Sequence, residues 1–175
     1  MRFGSILILV LALAGRSGSA QTRNDLPGSL ESVLDKEYPG WSFPSSDPHF
    51  VDRLKGTGMF PNLVFGDYNQ DGQRDYAVRI EYRQQPSRTG AIIAFVSEGA
   101  DFVPHIIRSY VVTGPRDLSY SAYLQAQAKG SRDYDYESER EFVFGNDAFM
   151  EVFDGKGAVS YIFEDGKFRN VITGD

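Results

Sequence analysis

Asp67-Tyr68-Asn69-Gln70-Asp71-Gly72-Gln73-Arg74-Asp75 runs without a break into Tyr76-Ala77-Val78-Arg79-Ile80-Glu81-Tyr82-Arg83. In the second half, Tyr76, Val78, Ile80 and Tyr82 fall on one face of an extended chain, and Ala77, Arg79, Glu81 and Arg83 on the other. That alternation is a strand pattern. Pro61 to Gly66 also reads as a short strand, so the unit is strand, polar loop, strand.

The polar loop has the composition of a Ca²⁺ site. Ca²⁺ takes about six to eight oxygens at roughly 2.3–2.6 Å in a tolerant geometry. Asp67, Asn69, Asp71 and Asp75 offer side-chain oxygens at near-alternate positions, and Gln73 offers its backbone carbonyl. Gly72 stands where the curl is tightest and a positive φ costs a glycine nothing. Three carboxylates this close repel one another in an empty loop, and a bound divalent ion removes that cost. The competing reading is a metal-free hairpin turn, which favours Asn, Asp and Gly but has no reason to space carboxylates alternately. A helix-loop-helix site is excluded, because its bidentate Glu is replaced here by Val78.

Phe65 to Val78 resembles the calcium loop of FG-GAP (VCBS-type) repeats. The resemblance implies that Asp67, Asn69, Asp71 and Asp75 bind Ca²⁺ between two strands. It covers fourteen residues and occurs once. The propeller built from such repeats needs several blades, and no second copy is present. The loop is carried over; the propeller is not.

The N-terminus reads as a signal peptide over residues 1–20. Arg2 supplies a positive start, Ile6 to Ala14 an apolar core, and Gly18-Ser19-Ala20 small residues before Gln21. The apolar run is shorter than the roughly twenty residues that span a bilayer, so no membrane insertion is expected after cleavage. No cysteine follows to carry a lipid. The expected localisation is secreted or periplasmic, with one globular β-rich domain over residues 21–175.

Without Arg2 and Arg16 that domain carries 16 basic and 24 acidic residues, a net charge of −8. It has no basic cluster, so nucleic acid is not an expected partner. The absence of cysteine excludes disulfides, thiol catalysis and thiolate metal sites. A domain of this length can bury one sufficient core without such staples.

Gln21 to Asn24 is expected to be a frayed tail. Leu30, Val33, Leu34 and Tyr38 then share one helical face, with Ser29 as expected N-cap and Pro39-Gly40 as the stop. Trp41 and Phe43 read as core anchors. Asp47-Pro48 is expected to start a short helical turn through Leu54, ended by Gly56 and Gly58. Ala91 to Ser97 is apolar on both faces, the mark of a central strand. Phe102 to Thr113 reads as a longer strand with a bulge near Arg108, broken by Gly114 to Asp117. Ser119 to Ala128 is ambiguous between strand and irregular chain. Further strands are expected at Glu141–Phe144, Ala148–Phe153, Ala158–Phe163 and Lys167–Ile172, with hairpin turns at Asp154–Gly157 and Glu164–Gly166. The expected fold class is α+β: an N-terminal helix packed on a mostly antiparallel sheet of six to eight strands, carrying the strand-loop-strand calcium loop.

Other chemistry is thinly represented. The chain has two histidines, His49 and His105, and neither a nucleophile elbow nor a phosphate-binding glycine loop. The run Arg132 to Glu141 holds five acids and two tyrosines. It could supply a glycosidase's carboxyl pair, although charge runs usually form a solvated surface. The leading expectation is an exported, non-catalytic Ca²⁺-binding domain whose surface binds an envelope or extracellular protein or glycan. The alternatives are a small secreted hydrolase using acidic residues and an inhibitor of a secreted enzyme.

Overall fold

The computed structural model describes residues 23–46, 48–54, 61–84, 87–114 and 118–174. The expected signal peptide, the Asp47 helix start, Gly56, Gly58 and Pro115 to Asp117 lie outside the described residues.

The chain is mostly antiparallel β-structure with few helices. Helix α1 covers Gly28–Glu37 and α2 covers Pro48–Leu54. The strands are β1 (Leu63–Gly66), β2 (Asp75–Gln84), β3 (Ser87–Glu98), β4 (Asp101–Val111) and β5 (Ala122–Gln127). They continue with β6 (Arg132–Asp135), β7 (Arg140–Val143), β8 (Ala148–Phe153), β9 (Gly157–Glu164) and β10 (Lys167–Gly174). Instead of one sheet of six to eight strands, these form two four-stranded sheets, ordered β1-β2-β3-β4 and β10-β9-β8-β5, and the separate hairpin β6-β7. Among the described residues no helix is long and apolar enough to cross a membrane.

The first sheet is the middle layer. On one face Val78, Ile80, Ala91, Ile93 and Phe95 pack with Leu26, Leu30, Leu34 and Trp41 from the α1 segment. On the other, Val64, Ala77, Ile92 and Ala94 pack with Leu124, Phe149 and Tyr161 of the second sheet. β3 is therefore apolar on both faces because both are covered. The side-chain alternation of β2 divides its residues between the two cores.

Local chemistry explains the element ends. The N-cap of α1 is Pro27, not Ser29, and no side chain caps it; a proline is tolerated there because the first helical turn lacks intrahelical acceptors for its N–H groups. Of the expected frayed tail, Gln21 and Thr22 lie outside the described residues, and the rest is corrected. Arg23–Asp25 forms a 3₁₀ turn, because Arg23 bonds Asp35 at 2.9 Å and lies over the Trp41 ring at 4.2 Å. Asp35 accepts the Trp41 indole N–H on the same oxygen, also at 2.9 Å. Asp165 and Gly166, both at positive φ, join β9 to β10, as a two-residue hairpin turn of that chemistry demands. The ambiguous segment after Ser119 resolves as β5, which pairs with β8.

Candidate functional site

The loop between β1 and β2 is held by its own side chains. Asp67 accepts the N–H groups of Asp71 and Gly72 at 3.1 and 3.0 Å. Asn69 Oδ1 accepts the Asp71 N–H at 3.1 Å, and Asp71 Oδ1 accepts the Gln73 N–H at 2.7 Å. Each polar side chain thus bonds a backbone N–H two to five residues ahead, and the side-chain oxygens are gathered by one curl of the chain. Gly72 turns at φ 82° and Gln70 at φ 62°. The N–H of Gln73, reinforced by the Asn69, Gln73 and Ser97 side chains, holds the exposed Asp71 carboxyl below the usual carboxylate range against a desolvation that pushes it up.

Asp75 plays a different part from the one its spacing suggests. It is the first residue of β2, paired with Gly66, and is fully buried. Its oxygens accept the N–H groups of Tyr68 and Asn69 at 2.6 and 3.3 Å and both the N–H and the hydroxyl of Ser97 at 2.8 Å. A carboxylate has about four lone-pair sites, and these bonds use them. Among the described residues no group of three or more His, Cys, Asp or Glu side chains stands together as a metal cage. The loop also gathers the oxygens of Asp67, Asn69 and Asp71, the last of which accepts the side chains of Asn69, Gln73 and Ser97 at 3.1, 3.2 and 3.3 Å, with the Gln73 carbonyl beside them in sequence. Hard oxygen donors of that kind suit Ca²⁺.

The loop is tied to the second sheet. Tyr68 is fully buried between the sheets, against Phe149 at 5.5 Å and Phe168 at 5.9 Å. Asp147 accepts the Asp67 N–H at 3.1 Å and the Lys129 N–H at 2.9 Å. Asn146 donates to the carbonyls of Tyr68 and Phe163. Lys129 reaches Gln70 at 2.7 Å.

A second polar cluster, which sequence reasoning missed, lies between the sheets. Arg79 is fully buried and donates to the Ala122 carbonyl. Arg108 pairs with the buried Glu151 at 2.5 Å, and the Tyr161 hydroxyl stands 3.5 Å from the other oxygen of Glu151. Burial pushes Glu151 above the usual carboxylate range, against the pull of Arg108 and Arg79. Burial, and then the Glu151 charge, raises Tyr161 as well. The available signal was charge inside apolar strands: Arg79 between Val78 and Ile80, and Glu151 between Met150 and Val152.

The acidic run forms a hairpin. Its residues pair from Arg132↔Val143 to Asp135↔Arg140, with Tyr134 and Tyr136 edge to face at 5.0 Å. Asp135 accepts the Ser138 hydroxyl and the Glu137 N–H, which are turn bonds. Glu137, Glu139 and Glu141 are exposed and Asp133 and Asp135 half-buried; the Ser138 hydroxyl holds Asp135 below the usual carboxylate range, the opposite of what a glycosidase acid needs. His105 meets Phe163 and Phe168 edge to face, and the His49 side chain lies outside the described residues. No protein-family model, curated protein or solved structure matches the chain.

Proposed function

We propose that the chain is an exported Ca²⁺-binding domain, with the ion held at the Asp67–Asp75 loop and a non-catalytic role in binding an envelope or extracellular protein or glycan. The observation that carries the reading is the gathering of Asp67, Asn69 and Asp71 oxygens by the N–H groups of Asp71, Gly72 and Gln73. The side chains of Asp67, Asn69 and Asp71 and the carbonyl of Gln73 would hold the ion, which would supply charge neutralisation. Asp75 fixes the curl from its place at the start of β2. With two carboxylates as direct holders, the expected affinity is that of extracellular calcium modules, on the order of 10⁻⁵ to 10⁻³ M. Such an ion is a staple. It would lock a loop that carries Tyr68 into the inter-sheet core and Asp67 onto Asp147.

Export rests on the charged start, the apolar stretch and the small residues before Gln21. Mass spectrometry of the exported protein should find its N-terminus at or near Gln21, and an intact Met1 overturns that part. For the metal, the test is thermal unfolding in millimolar Ca²⁺ against EGTA. Binding at a hundredfold excess over Kd stabilises by about 2.7 kcal/mol, and Asp71→Ala should abolish most of the difference. Equal melting in Ca²⁺ and EGTA for the unaltered chain overturns the calcium reading.

A further inference from the structure

A cleft of about 580 Å³ opens between β4, the outermost strand of the first sheet, and β8, β9 and β10 of the second. Its size falls within the range of small-molecule sites, roughly 300–1,000 Å³.

A defect in β4 creates the polar side of the cleft. Ile92 pairs with Arg108 but Ile93 pairs with Ile106, so Ile107 is an extra residue in the ladder. A bulge breaks the strict alternation of a strand and re-aims the side chains beside it. Here Ile107 packs inward with the inter-sheet core, and its neighbour Arg108 also reaches inward, to Glu151. A regular strand would send one of these two outward.

The floor that results is electrically matched. Arg108, from the first sheet, pairs with Glu151, from the second, and the Tyr161 hydroxyl stands at the other carboxylate oxygen. The Glu151 side chain is 1% exposed and that of Arg108 37%, so the carboxylate is enclosed while part of the guanidinium faces the cleft. A guanidinium carries five donors in a fixed fork, more than this one pairing uses. Lys167 and Asn170 stand at the exposed rim, where a lysine keeps its charged head in water.

One wall is a firmly held aromatic ring. Phe168 lies edge to face with Tyr68, His105 and Phe149 at 5.9, 5.7 and 5.6 Å and tilted against Phe163 at 5.0 Å. These neighbours fix its orientation. The ring is half-buried, with Ile107 and Phe153 beside it in the lining.

We propose that this cleft binds a neutral hexopyranose unit of a glycan, with Arg108 and Asn170 holding ring hydroxyls and Phe168 and Ile107 against a C–H face of the sugar. A hydroxyl both donates and accepts, so a sugar takes the donors of Arg108 and either end of the Asn170 amide without bringing net charge. An anion would be set beside Glu151, whose charge already answers Arg108, and a cation would meet Arg108 and Lys167. A wholly apolar ligand would cover the Arg108 donors and return no acceptor, which is costly. The C–H face of a pyranose supplies the apolar surface that the aromatic wall can bury. The proposal narrows the binding role given above to a neutral glycan. It rests on that non-catalytic role and not on the metal, since the lining shares no residue with the Asp67–Asp75 loop.

The test is calorimetry of the purified chain, in Ca²⁺ and in EGTA, against the methyl glycosides of glucose, galactose, mannose and N-acetylglucosamine. Glucuronate, glucosamine and cyclohexanol are the anionic, cationic and apolar controls, and NMR maps the site. At least one of the neutral glycosides should bind saturably, one to one, about tenfold tighter than any control. Its ring C–H resonances should move upfield against Phe168, and the Arg108 guanidinium resonances should shift on saturation. Asn170→Ala, at an exposed position, should weaken that glycoside several-fold with no change in melting temperature. The proposal is overturned by absence of saturable binding in all the glycosides, by a control that binds as tightly, by unaltered affinity in Asn170→Ala, or by shifts confined to other surfaces. Cleavage of a bound glycoside, read by mass spectrometry, would overturn the non-catalytic role and this proposal with it. Equal melting in Ca²⁺ and EGTA with sugar binding intact would overturn the metal reading alone.

Discussion

One oxygen of Asp75 accepts both the backbone N–H and the hydroxyl of Ser97, each at 2.8 Å, tying the start of β2 to the end of β3. Its other oxygen takes the N–H groups of Tyr68 and Asn69, so one buried carboxylate joins the loop to two strands. Hydrogen bonds to a charged group contribute about 1.5–3 kcal/mol, and removing the acceptor strands its donors. Asp75→Ala should therefore cost about 3 kcal/mol in urea unfolding performed in EGTA, where no metal contributes. Asp75→Asn should lose much of the same, since the amide NH₂ must then face an N–H donor. A loss below about 1 kcal/mol for the alanine variant contradicts this role.

Tyr68 offers the opposite case. Its ring is buried against Phe149 and Phe168, yet among the described residues its hydroxyl has no hydrogen-bond partner. Burial, and then the charges of Asp75 and Asp147, pushes that phenol well above its ordinary range. Removing an unpaired buried hydroxyl is close to neutral or stabilising. Tyr68→Phe should leave the unfolding midpoint unchanged or raised, whereas Tyr68→Ala should cost about 4 kcal/mol through the cavity it opens. A clear loss in Tyr68→Phe would reveal a bond that the hydroxyl makes.

Leu34 tests the helix-facing core. It is fully buried in the cluster with Leu30, Trp41, Val78 and Ile80. Leu34→Ala should destabilise by about 3 kcal/mol, within the 2–5 kcal/mol typical of such truncations, as read from chemical denaturation. An effect under 1 kcal/mol means that α1 does not depend on this face.

His105 gives a pH signature. Partial burial lowers its imidazole below the ordinary 6.5, with Glu98 pulling weakly the other way. Between the folded value and 6.5 the unfolded chain therefore binds more protons than the folded chain. Stability then rises with pH through that window and falls on acidification. Unfolding free energies of the unaltered chain and His105→Phe, taken from pH 7.5 down to 5, should diverge, the unaltered chain losing more. The carboxylates are common to both proteins and cancel in the difference. Parallel curves mean that the ring titrates as it does in the unfolded chain.

The sequence showed pairing better than layering. Alternation in Tyr76 to Arg83 and the turns at Asp154–Gly157 and Glu164–Gly166 are local signals, and β2, β8, β9 and β10 follow them. The irregularity near Arg108 was legible for the same reason, since a bulge disturbs the period of two within a few residues. The separation of two sheets was not, because it depends on β5 reaching past the β6-β7 hairpin to pair with β8. In the site, the turn at Gly72 and the gathering role of Asp67, Asn69 and Asp71 follow from spacing. Asp75 has the same side chain and a matching position, but strand register gives it other partners, and register is not written in a loop motif. Arg79 and Glu151 stayed hidden because an inward charge on a strand looks like an outward one until the covering layer is known.

The bulge at Ile107 has a consequence beyond aiming Arg108. β4 is the outermost strand of its sheet, where unpaired backbone N–H and C=O groups form a template for strand addition by another chain. Ile106 and Val111, 62% and 61% exposed on that strand, would make such addition adhesive. The extra residue breaks the hydrogen-bonding rhythm midway along β4, and Pro104 removes one N–H from it. The kink that furnishes a cleft thus also guards the rim against self-association, and a variant with Ile107 deleted would present a straight, sticky border where this chain presents a broken one.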